Sequence, residues 1–369
     1  MKRMTCFLLA AAMCFGALAG CGNSGEKQTA EASASMTKAA PDTTAIDALS
    51  ICLPEGTDES VLADGGACDS FSQVFASKLA EEGYNVGNIQ FSISTSASAT
   101  CEALAAGTVD LTLLPASQYL SYADSIDVIL AATQSKLTSD GTLAKKWNGS
   151  ASAPEATDEQ VPYGRTLICA TSSEYGKELA EKANSGKAIT FDDLSKASWA
   201  VLKTDTSSDF IYPDLWLSAN YEKTTADLPN IITLDGYSAL FTLAAKEQVD
   251  IIVIAADKRM DYSECWDMEP THLDMTGKMG LGRSDSIFDA VNVIGVTEPI
   301  YGDAVAVTEA DPEIYNDSFI AALRTALIAM ADTDEGEALY KLCGCSGFAE
   351  ADASDYSNIA NLGLTSGES

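Results

Sequence analysis

The chain has 369 residues, 46% of them apolar and 21% charged, which is long enough for two domains with sizeable cores. Against 22 basic residues stand 54 acidic ones, a formal net charge of −32. A surface of that sign repels nucleic acid and anionic lipid, so it argues against both as direct partners. It also means that an anionic ligand would have to be held by local dipoles and hydroxyls against the global field. A cationic ligand fits the overall charge better.

Met1-Lys2-Arg3 followed by the apolar run Cys6 to Leu18 has the length and flanks of a secretory signal and is too short to span a bilayer. Leu18-Ala19-Gly20-Cys21 resembles a bacterial lipoprotein box. That resemblance implies that residues 1–20 are removed and that the Cys21 thiol carries a palmitate-type lipid. Residues 21–46 are mostly Ser, Thr, Ala, Gly and Lys, cannot bury a core and read as a flexible tether. The expectation is a folded part held outside the cytoplasmic membrane by a lipid anchor.

The folded part opens with a short apolar strand, Ala48 to Leu53, and a helix on which Phe71, Val74, Phe75 and Leu79 share one face. Ile89, Phe91 and Ile93 alternate as a strand that runs into the hydroxyl cluster Ser94 to Ser98 and a helix ending at Gly107. Val109 to Leu114 is the next strand, and it stops at Pro115-Ala116-Ser117, where another helix begins. Val128 to Ala132 is a further strand. The polar stretch Lys136 to Val161 reads as a surface insertion, and Arg165 to Ala170 resumes as a strand.

The segment that organises the second half is Lys203 to Leu217, preceded by the apolar strand Trp199 to Leu202. Thr206, Ser207 and Ser208 sit between that strand and a helical face begun by Phe210, Leu215 and Leu217, with Pro213 placed where a first helical turn tolerates it. Hydroxyls and unpaired N–H groups at the positive end of a helix make a site for a phosphate-like oxyanion. An ordinary helix cap explains the same residues. Strands at Ile231 to Leu234 and Val249 to Ile254 follow. Val291 to Val296 and Ala304 to Val307 are expected to return the chain to the first domain, and helices from Ser318 to Met330 and Glu335 to Leu342 close the sequence.

Cysteines beyond Cys21 number seven: Cys52, Cys68, Cys101, Cys169, Cys265, Cys343 and Cys345. An odd number forms no closed disulfide framework, and most sit among apolar neighbours as small core residues. Cys343-Gly344-Cys345 lacks the further Cys or His of a zinc set, so no metal is expected. His272 is the single histidine, and no nucleophile elbow, metalloprotease or phosphate-loop motif is present. No cofactor and no covalent chemistry are expected.

Strands alternating with helices imply mostly parallel sheets whose ligands bind at the carboxyl ends of strands. Two α/β lobes on a lipid tether resemble a two-lobed type II periplasmic-binding-protein fold with a ligand cleft between the lobes. The expected division is 47–165 plus 290–369 as the first lobe and 166–289 as the second. Several ordered segments also resemble the phosphonate/phosphite/phosphate-binding proteins of ABC transporters. They are Glu102 to Asp110, Asp192-Asp193-Leu194, Thr206-Ser207-Ser208 with Pro213, Gly236-Tyr237 followed by Val249-Asp250, and Glu298-Pro299-Ile300.

The resemblance implies a small-molecule solute, an ABC permease as partner, and a hydroxyl turn of Thr206, Ser207 and Ser208 holding the oxyanion. Ser96, Ser117 and Gln118 would contribute from the other lobe, and Tyr163 and Tyr237 would line the cleft. Asp257 falls near a position where family members carry an acid that meets a ligand amino group. Asp257 and Asp303 are read more simply as parts of the acidic surface. The sequence departs from the family at Asp209, where Gly is usual, at Ser96-Ala97, where Tyr is frequent, and at Tyr237, where His is frequent. Sulfonate or thiamine-type ligands, a non-transport surface receptor, and an enzyme on the same fold are the rival expectations.

Overall fold

The computed structural model describes residues 43–149, 151, 153–203 and 212–360. Two β-sheets organise them. The first has seven strands, in the spatial order Gly347–Glu350, Ile126–Leu137, Ala304–Thr308, Leu111–Leu114, Leu49–Leu53 and Ile89–Ile93, with Ala156–Val161 paired to the outer half of Ile126–Leu137. The second has five, in the order Ile231–Leu234, Trp199–Leu202, Ile251–Ala255, Thr166–Ala170 and Asn292–Val296.

The two sheets share one wiring plan. In each, three strands run parallel, and the fourth position is taken by a strand antiparallel to both neighbours. That antiparallel strand is the one by which the chain arrives from the other lobe: Thr166–Ala170 in the second sheet and Ala304–Thr308 in the first.

Side-chain alternation explains why both sheets are covered on two faces. In Ala304–Thr308, Val305 and Val307 join a core with Phe71, Phe75, Phe319 and Leu323, while Ala304 and Ala306 point to the opposite core around Cys101, Leu104 and Tyr119. In Ile251–Ala255, Ile252 and Ile254 face one core and Ile251 and Val253 the other. All five residues of that strand are buried, as a β-branched run in the centre of a mostly parallel sheet should be.

Helix starts are set by local chemistry. Thr190 and Asp193 form a reciprocal capping box on the helix Phe191–Lys196, and Pro213 occupies the first turn of Pro213–Tyr221. Gly295 is required for packing, because a Cβ there would fall 2.3 Å from Cε2 of Trp216. Trp216 itself is core, 7% exposed.

Two expectations are corrected. Asn292–Val296 does not return to the first lobe: it pairs antiparallel with Thr166–Ala170 and forms the edge of the second sheet. The return comes after it, through Ile300–Tyr301, which pairs with Tyr163–Gly164 as a two-stranded ribbon between the sheets. A strand of the second sheet and a strand of the first follow one another here as similar apolar runs, so hydrophobic pattern alone cannot separate them.

The stretch Lys136 to Val161 is not a plain surface insertion either. Gln134 to Leu137 and Ala156 to Val161 form a two-stranded arm, closed where the Thr138 N–H donates to the Glu155 carbonyl at 2.9 Å. Beyond it, Trp147 is 1% exposed within the core of the second lobe, beside Leu167, Phe288 and Val293. Asn148 then acts as a short stand-in for a strand: its Oδ1 accepts from the Val293 N–H at 2.6 Å and its Nδ2 donates to the Val293 carbonyl at 2.9 Å. This satisfies groups on the exposed edge of the sheet. The arm is thus rooted in one lobe and plugged into the other.

Truncation of a fully buried indole should cost about 3–5 kcal/mol, through lost transfer energy and the cavity left behind. Trp147→Ala is therefore expected to lower the stability of the second lobe by that amount in urea unfolding. A change under about 1 kcal/mol would show that the plug carries little of the lobe's stability.

Candidate functional site

In each sheet the three parallel strands end at the interface between the lobes. Because the fourth strand is antiparallel, its amino end lies among those carboxyl ends. The residues that reach the cleft therefore come just after Ile93, Leu114, Leu202 and Ala255, and just before Thr166 and Ala304. A cavity of about 440 Å³ is lined at two of these positions, after Ala255 and before Ala304. The first lobe contributes Thr133, Gln134, Asp303 and the Cys343-Gly344-Cys345 turn, and the second contributes the segment from Ala255 to Lys258 with Asp261.

The sequence-expected residues fall in different places. Ser96 is the cap of the helix Ala97–Ala105, accepting from the Ala99 N–H at 3.2 Å, and Gln118 donates its backbone N–H to Pro115 in the turn that starts the next helix. The Ser117 side chain meets the Tyr212 hydroxyl, so it touches the other lobe across the cleft. Burial, with Asp303 nearby, pushes the Tyr212 phenol up to about 12. Tyr163 lies on the ribbon between the lobes, and its hydroxyl donates to Asp140 at 2.8 Å; the same carboxylate accepts from Arg165 Nε at 3.0 Å. The Tyr237 hydroxyl accepts from the Ala255 N–H at 3.2 Å, with the Lys258 ammonium 5.5 Å from its ring centre. Thr206, Ser207 and Ser208 lie outside the described residues, as does Cys21. The first described residue after the hydroxyl turn, Tyr212, is tied to the crossover by its N–H bond to Thr166 Oγ1 at 2.9 Å.

Asp257 lines the cavity, but its carboxylate is already engaged. Arg259 Nη2 donates to its Oδ2 at 2.6 Å and Nε to its Oδ1 at 2.9 Å, with both side chains fully buried. The guanidinium also donates to the Val291 carbonyl and to the Trp147 carbonyl, each at 2.8 Å. Asp257 therefore holds the second lobe and the arm together rather than waiting for a ligand amine. Asp250 is likewise a structural tie, accepting from Ser173 Oγ at 2.6 Å and from the Ser198 N–H at 2.8 Å.

Sequence reasoning passed over Asp303 as surface. It is half-buried at the amino end of Ala304–Thr308, faces the cavity, and burial pushes its carboxyl up to about 6. Its side chain has no hydrogen-bonding or ionic partner among the described residues. The one signal available in sequence was its place in Tyr301-Gly302-Asp303, directly before an apolar strand; that the strand runs antiparallel is a fact of topology. Cys343 and Cys345 also line the cavity as free thiols, pushed up by burial to about 11 and about 12.

A two-lobed α/β molecule with like-wired sheets and a cavity at their facing strand ends has the type II periplasmic-binding-protein fold. Residues 72–356 match the family described as "ABC transporter, phosphonate, periplasmic substrate-binding protein", and the chain belongs to that family. No curated protein sequence matches it.

Among solved structures, Mh-p37 of Mycoplasma hyorhinis, for which thiamine pyrophosphate transport is suggested, superposes with a TM-score of 0.55 at 11% identity. The match covers 87% of this chain and 100% of that one, and it shows a shared fold. XAC2383 from Xanthomonas citri bound to ATP matches at 12% identity and a TM-score of 0.48, over 86% of this chain and 97% of that one. PhnD1 from Prochlorococcus marinus in complex with methylphosphonate matches at 10% identity and a TM-score of 0.43, over the same shares.

Removing one partner of a buried ion pair strands the other, at a cost of about 3–5 kcal/mol. Arg259→Met should destabilise the protein by that amount in chemical denaturation, and the double variant with Asp257→Leu should recover most of the loss. A double variant no more stable than Arg259→Met would mean that the guanidinium's bonds to Val291 and Trp147, not the charge pair, carry the effect.

Proposed function

We propose that this protein is the lipid-anchored solute receptor of an ABC importer, capturing a small oxyanion of the phosphonate, phosphite or phosphate type and presenting it to the permease. The carrying observation is the cavity at the facing strand ends of two like-wired lobes, in a chain of the phosphonate-binding family. Strand ends and helix starts supply N–H and hydroxyl donors that suit a tetrahedral oxyanion, and the lobes can close on it about the Tyr163–Ile300 ribbon. Thr206, Ser207 and Ser208 would hold the oxyanion from the second lobe, with Ser117 opposite through its contact with Tyr212. Lobe 1 would comprise residues 47–165 and the chain from the return crossover onward, and lobe 2 the sheet between.

Binding involves no bond making or breaking in this reading. Sulfonates share the same geometry and are the nearest alternative ligands. A thiamine-type ligand bearing a diphosphate would present the same oxyanion. Residues 1–20 would be removed, Cys21 acylated, and residues 21–46 would tether the receptor outside the cell membrane.

Two measurements test this. At free ligand about 100 times its dissociation constant, a true ligand raises stability by about 2.7 kcal/mol. Thermal unfolding against phosphate, phosphite, alkylphosphonates, sulfonates and thiamine diphosphate should show such a shift for at least one oxyanion, lost when Ser207 and Ser208 are both replaced by Leu. Stabilisation by cations alone would overturn the oxyanion reading. Separately, Cys21→Ala expressed in a bacterium should move the protein from the membrane to the soluble fraction and abolish labelling by palmitate; unchanged membrane retention would refute the anchor.

A further inference from the structure

We propose that Asp303 is a specificity-determining residue: it makes a hydrogen-bond donor on the solute, an ammonium N–H or an acidic P–OH, a condition of tight binding. This deepens the oxyanion reading and rests on it.

Asp303 is fixed by its backbone, its carbonyl accepting from the Ala132 N–H at 2.8 Å while the Gly302 N–H donates to Pro162 at 2.9 Å. The carboxylate is therefore held at the junction of the crossover and the first sheet, on the wall of the 440 Å³ cavity. A carboxylate only accepts hydrogen bonds, so a fully ionised oxyanion offers it repulsion and nothing to accept.

Neither described cation of the wall segment is spare to neutralise it. Arg259 is committed to Asp257, and Lys258 is shared between Asp261 at 3.3 Å and the ring of Tyr237. The remaining groups that feel its charge are Cys345, Tyr212 and Tyr356, all themselves pushed up by burial and neutral near pH 7. Cys343, beside Cys345, is neutral for the same reason. Leaving a half-buried carboxylate without a partner is costly, and a ligand that donates to it recovers that cost on binding. The raised carboxyl, about 6, is the expected mark of that unmet demand.

The test is calorimetric titration of the purified protein with ethanesulfonate, which has no donor, taurine, which adds an ammonium group, and ethylphosphonate, which at pH 7 retains P–OH protons. The first comparison isolates the ammonium source and the second the acid proton. Wild type should bind taurine or ethylphosphonate at least about tenfold more tightly than ethanesulfonate, the size of one charge-assisted hydrogen bond. In Asp303→Asn the ratio should fall to within about threefold, because the amide can donate to a bare oxyanion.

The pH dependence has a defined sign. Below pH about 6 Asp303 takes up a proton and becomes a donor, so ethanesulfonate should bind wild type better at pH 5 than at pH 8, while Asp303→Asn stays flat. Free Asp303→Asn should unfold at or above the wild-type temperature at pH 8, since an unpaired charge has been removed; Asp303→Ser provides a second variant lacking the carboxylate. Equal wild-type affinity for all three probes, or the same ratio in Asp303→Asn and Asp303→Ser, overturns the proposal while leaving the oxyanion reading intact. No binding of any probe to wild type, nor of phosphite or phosphate titrated alongside them, overturns both.

Discussion

The guanidinium of Arg259 is the contact on which most of the second lobe depends. Fully buried, it joins Asp257 at the end of a central strand, the Val291 carbonyl at the start of the edge strand, and the Trp147 carbonyl at the tip of the arm, with the Phe288 ring 5.0 Å away. Three pieces of chain far apart in sequence are thereby given one geometry. A buried ion pair adds little net stability against an apolar substitute, because desolvation offsets the Coulombic gain. What it supplies here is position: the cavity wall from Ala255 to Asp261 is held by the same guanidinium that holds the arm.

That arrangement bears on how the lobes move. The chain crosses between them at the ribbon of Tyr163–Gly164 with Ile300–Tyr301, and the arm from Gln134 to Val161 adds a further connection plugged by Trp147. Gln134 Nε2 donates to the Tyr163 carbonyl at 2.9 Å, so arm and ribbon are joined near the cavity they both border. Rotation of one lobe against the other has to be absorbed at the arm's root or at the ribbon. The Asp140 carboxylate ties Tyr163 and Arg165 together on the side nearer the second lobe.

Much of the architecture was legible in the chain. Fully apolar runs such as Ile251 to Ala255 and alternating ones such as Ile89 to Ile93 identified strands, and the strand–helix rhythm identified parallel sheets. Ser96, Ser117 and Asp257 do follow the strands Ile89–Ile93, Leu111–Leu114 and Ile251–Ala255, as their places in the sequence implied. The arm was not legible: its sequence is polar and turn-rich, and the burial of Trp147 depends on a socket built from Leu167, Phe288 and Val293, which lie distant in sequence. Asp257 looked like a ligand group because an acid at a strand end is one when unpaired; its partner two residues later gave no periodic signal.

Sequence by itself determined the elements, the two-lobed class and the family, since those follow from hydrophobic periodicity, caps and ordered local motifs. Tertiary structure decided which acid is committed and which is open. Asp257 and Asp303 are equivalent as residue types, each next to an apolar strand. Folding brings a guanidinium to the first and leaves the second facing a cavity, and only the antiparallel insertion of Ala304–Thr308 puts Asp303 there. Charge pairing depends on distances of a few ångströms between segments far apart in the chain, and local sequence carries no record of them.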